Sequence, residues 1–244
     1  MGPIKEQQQQ QNHLQYNLHC HDCGGICCFA DDSTYSVSSN NQDELSTKLT
    51  DKYNLISEYM TSNKLKLNND KTHLLVMMTS EKRRHRIIDV SIKTPTEIIK
   101  PTSCETLLGS VIHEGIKWGH YILHGNPKPN GQKSLTLQLN TRLNGIRMIC
   151  RVASFKTRSM VANAVFMSKL TYVIPVWSGC ENYLVNAIQS IQNKAARVVT
   201  KCNQYTSIKS LLSQCGWLSV NQLLWSFIKL DKTKALNICT TKFQ

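Results

Sequence analysis

The chain has 244 residues, enough to bury a sizeable core, and its hydrophobic content of 41% argues against global disorder. Its formal net charge of +13 is unevenly distributed. Residues 1–141 contain 15 basic and 14 acidic residues, whereas residues 142–244 contain 14 basic and 2 acidic residues. Such an excess of positive charge favours a polyanionic partner, and a merely solvated basic surface is the alternative.

The most apolar stretch of the chain runs from Val161 to Trp177. It is interrupted by Asn163, Lys169 and Pro175, so we predict no membrane span and no membrane partner. Ten cysteines without a pairing pattern, and no signal-peptide pattern, predict free thiols in a reducing compartment. We therefore expect an intracellular protein of the nucleus or cytoplasm.

A β-hairpin is predicted where the apolar residues Ile26 to Phe29 meet a polar turn and a returning strand at Thr34 to Val37. Asp31 and Asp32 would then lie at the tip of the hairpin. Two adjacent carboxylates repel each other unless a cation neutralises them. Mg²⁺ suits this role because it prefers a few hard oxygen ligands, and a solvated Asp-Asp turn is the alternative.

An amphipathic helix is predicted over Gln42 to Ser62, where apolar residues recur at three- and four-residue spacing. Asn40 or Asn41 would be its N-cap. The segment LKLNNDKT at residues 65–72 and an apolar strand over Leu74 to Met78 follow. Residues 105–118 then read ETLLGSVIHEGIKW.

In this order, the FADDS hairpin at 29–33, the helix, the LKLNNDKT turn and the LLGSVI…KW segment resemble the reverse transcriptase of a non-LTR retrotransposon. The resemblance continues through NTRLN at 140–144, SFKTR at 154–158 and NKAAR at 193–197. It covers residues 26 to about 230. It implies an RNA-directed DNA polymerase that uses Mg²⁺ and binds an RNA template and a DNA primer.

The resemblance implies an α+β fold in which a partial polymerase palm (β-hairpin, helix and short antiparallel sheet) is followed by a helical, thumb-like region. We predict a disordered Gln-rich N-terminus at 1–19, the palm at 20–118, a linker loop at 119–133 and the basic thumb-like region at 134–244. Helical spacing predicts helices over residues 135–152, 158–170, 183–199 and 219–230.

By resemblance, Asp31 is a metal ligand of the catalytic turn, and Asp32 helps to neutralise a second metal or orders the hairpin. Phe29 and Ala30 shape this turn, and the small Ala30 lets the primer end approach closely. Lys71 corresponds to a family lysine near the phosphates of the incoming nucleotide, where it would assist pyrophosphate departure. A surface lysine is the alternative interpretation for Lys71.

The strand Leu107 to Val111, with Leu108 and Gly109, would grip the primer through its backbone. In the thumb-like region, Arg142, Arg147 and Arg151 fall at near-helical spacing and would form one basic stripe. Two further cations follow, Lys156 and Arg158. These residues would neutralise phosphates of an RNA–DNA hybrid without reading its sequence.

Polymerases of this family hold two metal ions with carboxylates from two separate strands. Only 28 residues precede Phe29, so we expect a C-terminal fragment that is inactive alone or needs a partner carrying the N-terminal polymerase half. A non-catalytic nucleic-acid-binding remnant and a decayed reading frame without a selected role are the alternatives.

Two other motifs have competing interpretations. Cys20 and Cys23, with Cys27 and Cys28 nearby, have the two-residue gap of zinc sites, but no second ligand pair follows at zinc-finger spacing. The basic run at residues 82–86 is typical of a solvated loop between strands, and a nuclear-localisation signal or a nucleic-acid patch is the alternative.

Overall fold

The computed structural model describes residues 26–29, 32–65, 67–78 and 89–227. They form an α+β protein of helices and short two-stranded sheets, divided into two compact units at residues 1–103 and 104–244. None of the described helices is long and apolar enough to cross a membrane. Several predictions lie outside the described residues: those for the Gln-rich N-terminus, Cys20, Cys23, Ala30, Asp31 and the run at 82–86.

The predicted hairpin is present in the first unit. Strand β1 (Ile26–Phe29) pairs antiparallel with β2 (Asp32–Tyr35), in a register that sets Phe29 opposite Asp32. The returning strand therefore begins at Asp32, two residues earlier than predicted. Only two residues of sequence separate the paired Phe29 and Asp32.

The amphipathic helix α1 spans Gln42–Ser62, as predicted from its spacing. The side chain of Asn41 caps it by accepting a hydrogen bond from the backbone N–H of Asp43 at 2.9 Å. Its buried face carries Leu49, Tyr53 and Ile56. A 3₁₀ turn, Asn69–Lys71, follows the helix.

Polar side chains beside the buried face of α1 accept hydrogen bonds from the edge of a strand. Strand β4 (Ile92–Lys93) pairs with β5 (Ile98–Ile99), and the backbone N–H groups of residues 89, 91 and 93 donate to Gln42, Ser46 and Thr50 at 2.9–3.3 Å. Four residues along a helix advance about 6.0 Å and two residues along a strand about 6.6 Å. The spacing of the acceptors on α1 therefore matches the spacing of the backbone donors at residues 89, 91 and 93. The helix thus supplies acceptors that a neighbouring strand would otherwise provide.

The strand predicted over Leu74 to Met78 is short. Strand β3 (Leu74–Leu75) pairs in parallel with β6 (Pro101–Thr102), so the described strands of this unit do not form one antiparallel sheet. The core of the first unit packs one face of α1 against these short strands and the residues beside them: Leu49, Tyr53, Leu74, Val76, Val90, Ile92 and Ile99.

The second unit begins with a hairpin of β7 (Cys104–Leu107) and β8 (Ser110–His113). Leu108 and Gly109 form its tight turn, with φ angles of 46° and 72°. Two consecutive positive φ angles are typical of the two-residue turns that suit the twist of a hairpin. The prediction of one strand over Leu107 to Val111 is therefore wrong, because the chain reverses at Leu108.

The segment 119–133, predicted as a linker loop, is folded. A π-helical turn spans His120–His124, and the loop after it is bound to β7. Asn126 Nδ2 donates to Thr106 Oγ1 at 3.0 Å, and Lys128 forms an ion pair with Glu105. The two compact units divide between Ser103 and Cys104, ahead of this segment.

The rest of the second unit is helical. Its elements are α2 (Leu135–Ile149), α3 (Phe155–Ala162), a π-helical turn (Asn163–Met167), α4 (Ser168–Thr171), α5 (Asn182–Thr200), α6 (Ile208–Cys215) and α7 (220–227, where the description ends). The four predicted helices are present among the described residues, the second of them divided into α3, a π-helical turn and α4, and α6 was not predicted. The largest side chains fully buried in this core include Trp177, Tyr121 and Phe166.

Tyr121 provides a pH-dependent test of this core. Its hydroxyl is buried without a hydrogen-bond partner among the described residues, and burial raises its pKa from 10.0 to about 12. Between these values the unfolded chain loses the proton while the folded chain keeps it. The stabilisation is therefore complete below pH 10 and is lost as the pH rises towards 12.

We expect Tyr121→Phe to raise the free energy of unfolding by about 1 kcal/mol at neutral pH, because it removes an unsatisfied buried hydroxyl. Urea unfolding at several pH values between about 8 and 11 should also show a weaker alkaline loss of stability in the variant. Tyr35, whose pKa burial also raises to about 12, remains and accounts for part of the residual slope. An unchanged slope would contradict this account of Tyr121.

Candidate nucleic-acid interface

Asp32 is the described member of the predicted carboxylate pair. It is exposed at the start of β2, opposite Phe29 in the neighbouring strand. Ala30 and Asp31 lie outside the described residues, and so do the side-chain surroundings of Phe29. One exposed carboxylate is too few ligands to hold Mg²⁺, so the described residues do not by themselves make the predicted metal site.

Lys71 is exposed at the end of the Asn69–Lys71 turn. Asn69 anchors this turn, because its Oδ1 accepts a hydrogen bond from Tyr53 Oη at 2.5 Å and its Nδ2 donates to Thr96 Oγ1 at 3.2 Å. No ion pair joins Lys71 to Asp32, both of which are described. The structure thus gives Lys71 a rigid base and an open side chain, which fits either a phosphate contact or a surface lysine.

Leu108 and Gly109 lie in the turn between β7 and β8. Tyr172 Oη donates to the backbone carbonyl of Leu108 at 2.6 Å. A Cβ added to Gly109 would meet only the Tyr172 ring, at 3.8 Å, so the positive φ rather than crowding favours glycine here. The Leu108 carbonyl, predicted to grip a primer, is already used to fix the turn to the segment after α4.

Three of the predicted nucleic-acid ligands lie close together in sequence and are exposed: Arg147, Arg151 and Lys156. They flank the end of α2 and the start of α3. Lys201, at the end of α5, joins them, because its Nζ lies 3.4 Å from the backbone carbonyl of Arg151. We call residues 147–156 together with Lys201 the basic loop.

Exposed apolar side chains accompany these cations. Within the basic loop, Val152 is 92% exposed and Phe155 is 44% exposed, and Met148 and Ile149 are also exposed. Interfaces that bind unpaired nucleotides combine cations for the backbone with aromatic rings on which the bases stack. The basic loop therefore has the composition of such an interface, in a single stretch of surface.

Arg158 was predicted to bind nucleic acid, but its side chain is only 8% exposed. Its Nε donates to the Val199 carbonyl at 2.6 Å, and its Nη1 donates to the Ala153 carbonyl at 2.9 Å. A cation is favourable near the C-terminal end of a helix such as α5, where carbonyls lack helical partners. Arg158 therefore ties the basic loop to α5, and phosphate binding is not its structural role.

Arg142 does not belong to the same surface group. It is half-buried, and its Nη1 donates to the Val165 carbonyl at 2.7 Å. Arg142 also acts on Lys169, whose pKa is lowered by burial and, to a lesser extent, by the charge of Arg142. The predicted basic stripe of Arg142, Arg147 and Arg151 is therefore not one surface. Arg142 contacts the π-helical turn at Asn163–Met167, whereas Arg147 and Arg151 belong to the basic loop.

Two groups of residues were not predicted. Lys201 reaches the basic loop because it ends α5 in the left-handed conformation, at φ 58°, which no helical pattern indicates. Cys104, His113 and His120 place one potential metal-ligand atom each within 4.8 Å of one another. The nine-residue spacing of Cys104 and His113 was visible in the sequence, but the turn that pairs them was missed.

Comparison of the chain with protein-family models, with curated proteins and with solved structures gave no match. The resemblance to reverse transcriptases therefore depends on the sequence alone: on the motifs at residues 29–33, 65–72 and 107–118 with the helix between the first two, and on their continuation at 140–144, 154–158 and 193–197.

A pair of substitutions separates the structural arginine from the exposed cations. We expect Arg158→Ala to lower the free energy of unfolding by about 2–3 kcal/mol, because two backbone carbonyls lose a charged donor. Lys156→Ala, two residues away on the surface, should change it by less than about 0.5 kcal/mol. Urea unfolding measures both, and equal small effects would mean that the Arg158 contacts contribute little to stability.

Proposed function

We propose that this chain is the C-terminal palm and thumb part of a non-LTR retrotransposon reverse transcriptase, and that it binds an RNA–DNA duplex through the basic loop. The ordered sequence motifs support the family. The position of Arg147, Arg151, Lys156 and Lys201 on one exposed segment supports the binding role.

The observation that carries the proposal is the absence of compensating acid beside these cations. Across the described residues 134–227, Glu181 is the only acidic residue, against ten Lys and Arg. Exposed cations without carboxylate partners keep their attraction for a polyanion, whereas cations in ion pairs would first have to give up their partners. An ordinary solvated helical surface would carry charges of both signs.

The proposed contacts involve phosphates rather than base edges. The cations of the basic loop would release counterions from the duplex, giving an affinity that falls steeply with salt and ignores sequence. Phe155 would add stacking on an unpaired base at the duplex end. An RNA–DNA hybrid would be favoured for its A-like shape.

We further propose that Asp31 and Asp32 hold Mg²⁺ in the parent polymerase, with Lys71 near the departing pyrophosphate. In that chemistry one metal activates the primer hydroxyl and the other binds the triphosphate. Residues 1–244 contain the family pattern for only one of the two carboxylate strands. We therefore propose that they do not extend a primer by themselves, and that a chain carrying the other strand would be a partner.

A non-catalytic nucleic-acid-binding remnant is the second candidate. The division of the chain into two compact units favours it, because the basic loop is built entirely from residues of the second unit. Its duplex binding would then be independent of the Asp31–Asp32 hairpin.

The binding role is tested by two charge-matched double variants. Arg151→Gln with Lys156→Gln should weaken hybrid binding and reduce the slope of log affinity against log salt by about 2, one for each lost phosphate contact. Lys93→Gln with Lys100→Gln removes the same charge from exposed positions of the first unit. Fluorescence anisotropy over a salt series measures both slopes.

If the two double variants lose affinity equally, net charge alone is responsible and the basic loop is not the binding surface. If the parent protein does not bind the hybrid at low salt, the binding proposal is wrong in both of its forms.

The catalytic proposal is tested by primer extension on poly(rA)–oligo(dT) with Mg²⁺, with Asp31→Ala beside the parent chain. We expect no extension by either protein and equal salt-dependent binding by both. Extension by the parent that disappears in Asp31→Ala would show that a second carboxylate strand is supplied, and it would overturn the proposed inactivity of residues 1–244.

A further inference from the structure

The hairpin of β7 and β8 sets a cysteine directly opposite a histidine. Cys104 and His113 are Cα partners in its register, so their side chains project from the same face of the hairpin. Cys104 is buried and His113 is partly buried. A thiol and an imidazole held at this spacing by a tight turn have little freedom to separate.

A second histidine joins them from the π-helical turn. The ring of His120 stacks on that of His113, with centroids 4.5 Å apart and planes 7° from parallel. The Nδ1 atom of His120 is buried without a hydrogen-bond partner among the described residues. Buried ring nitrogens are normally satisfied, so this atom marks a place where a further ligand fits.

We propose that Cys104, His113 and His120 form a zinc site. Their ligand atoms already lie within 4.8 Å of one another. Around a tetrahedral zinc, with bonds of about 2.0–2.1 Å to nitrogen and 2.3 Å to sulfur, such atoms would be about 3.4–3.6 Å apart. Zinc binding therefore requires the ligand atoms to approach by about 1 Å and the stacked His113 and His120 rings to rotate away from parallel, because an imidazole nitrogen binds a metal in the plane of its ring.

The donor set selects the metal. A thiolate and two imidazoles suit zinc, whereas Mg²⁺ prefers oxygen ligands. Three protein ligands leave a fourth position for water. The His124 ring is inclined at 67° to that of His120, with the centroids 5.7 Å apart, but His124 is exposed and lies outside the cluster.

Zinc binding has a structural consequence at His113. Its Nδ1 accepts a hydrogen bond from the Gly115 N–H at 2.9 Å, and the other nitrogen carries the proton in a neutral ring. If Nδ1 binds the metal, its lone pair is no longer available to the Gly115 N–H. If Nε2 binds the metal, the ring proton moves to Nδ1, which then cannot accept from Gly115. In both cases the Gly115 hydrogen bond is lost. The Gly115 amide therefore reports on occupancy of the site.

The site would join the hairpin to the π-helical turn at the edge of the second unit's core. Tyr121 and Ile122, next to His120, are fully buried, and so is Val111 in β8. Metal binding to the folded chain but not to the unfolded chain stabilises the fold by mass action. This role does not depend on nucleic-acid binding.

The test uses the full chain, stripped of metal with a chelator and titrated with Co²⁺ and then Zn²⁺. We expect one equivalent of Co²⁺ to give a thiolate charge-transfer band that zinc abolishes. The band should be lost in Cys104→Ser and retained in Cys215→Ser, which removes another buried thiol. His120→Gln should weaken zinc binding at least tenfold by calorimetry, and His124→Gln should leave it unchanged.

A second measurement on the parent chain covers the case in which a variant fails to fold. Zinc should raise the unfolding temperature by several degrees and shift the Gly115 amide resonance. No cobalt–thiolate band in the folded parent would overturn the proposal. So would a band that survives in Cys104→Ser and disappears in Cys20→Ser or Cys23→Ser, because the metal would then belong to the N-terminal cysteines.

Discussion

The buried guanidinium of Arg158 fixes the surface on which the proposed function depends. It links the Ala153 carbonyl, in the basic loop, to the Val199 carbonyl near the end of α5. A single planar cation thus donates to backbone carbonyls of two separate segments. Arg158 is buried by these contacts, whereas Arg151 and Lys156 are exposed, where a polyanion can reach them.

In the first unit, too, side chains form hydrogen bonds with backbone groups at the edge of an element. Its described sheets have only two strands each, which leaves backbone donors at their edges. Gln42, Ser46 and Thr50 on α1 accept hydrogen bonds from the backbone of residues 89–93, which include β4. Side chains thus replace the missing strand, and the apolar face of the same helix covers the small core beside it. Helix α1 therefore has two roles: it accepts hydrogen bonds from the edge of a short strand, and it covers the core of the first unit.

Local patterns predicted those elements whose ends are fixed by neighbouring residues. The bounds of α1 follow from its apolar spacing and from Asn41, and β1 and β2 follow from an apolar run beside a polar turn. Patterns failed where backbone conformation, rather than hydrophobicity, decides. Leu108 and Gly109 look like strand residues, but positive φ angles turn the chain there. Helix α6 has only eight residues, so its apolar periodicity is short, and the polar residues before it suggested a loop.

By itself the sequence determined the main helices and the excess of positive charge after residue 141, because periodicity and composition are local properties. Its ordered motifs carried the family resemblance, which in turn implied the α+β class. Tertiary structure alone decided which cations are exposed. It buried Arg158, separated Arg142 from Arg147 and brought Lys201 beside Arg151. It also brought Cys104, His113 and His120 together. The tight turn of the hairpin sets Cys104 opposite His113, and the π-helical turn at His120–His124 places His120 beside them.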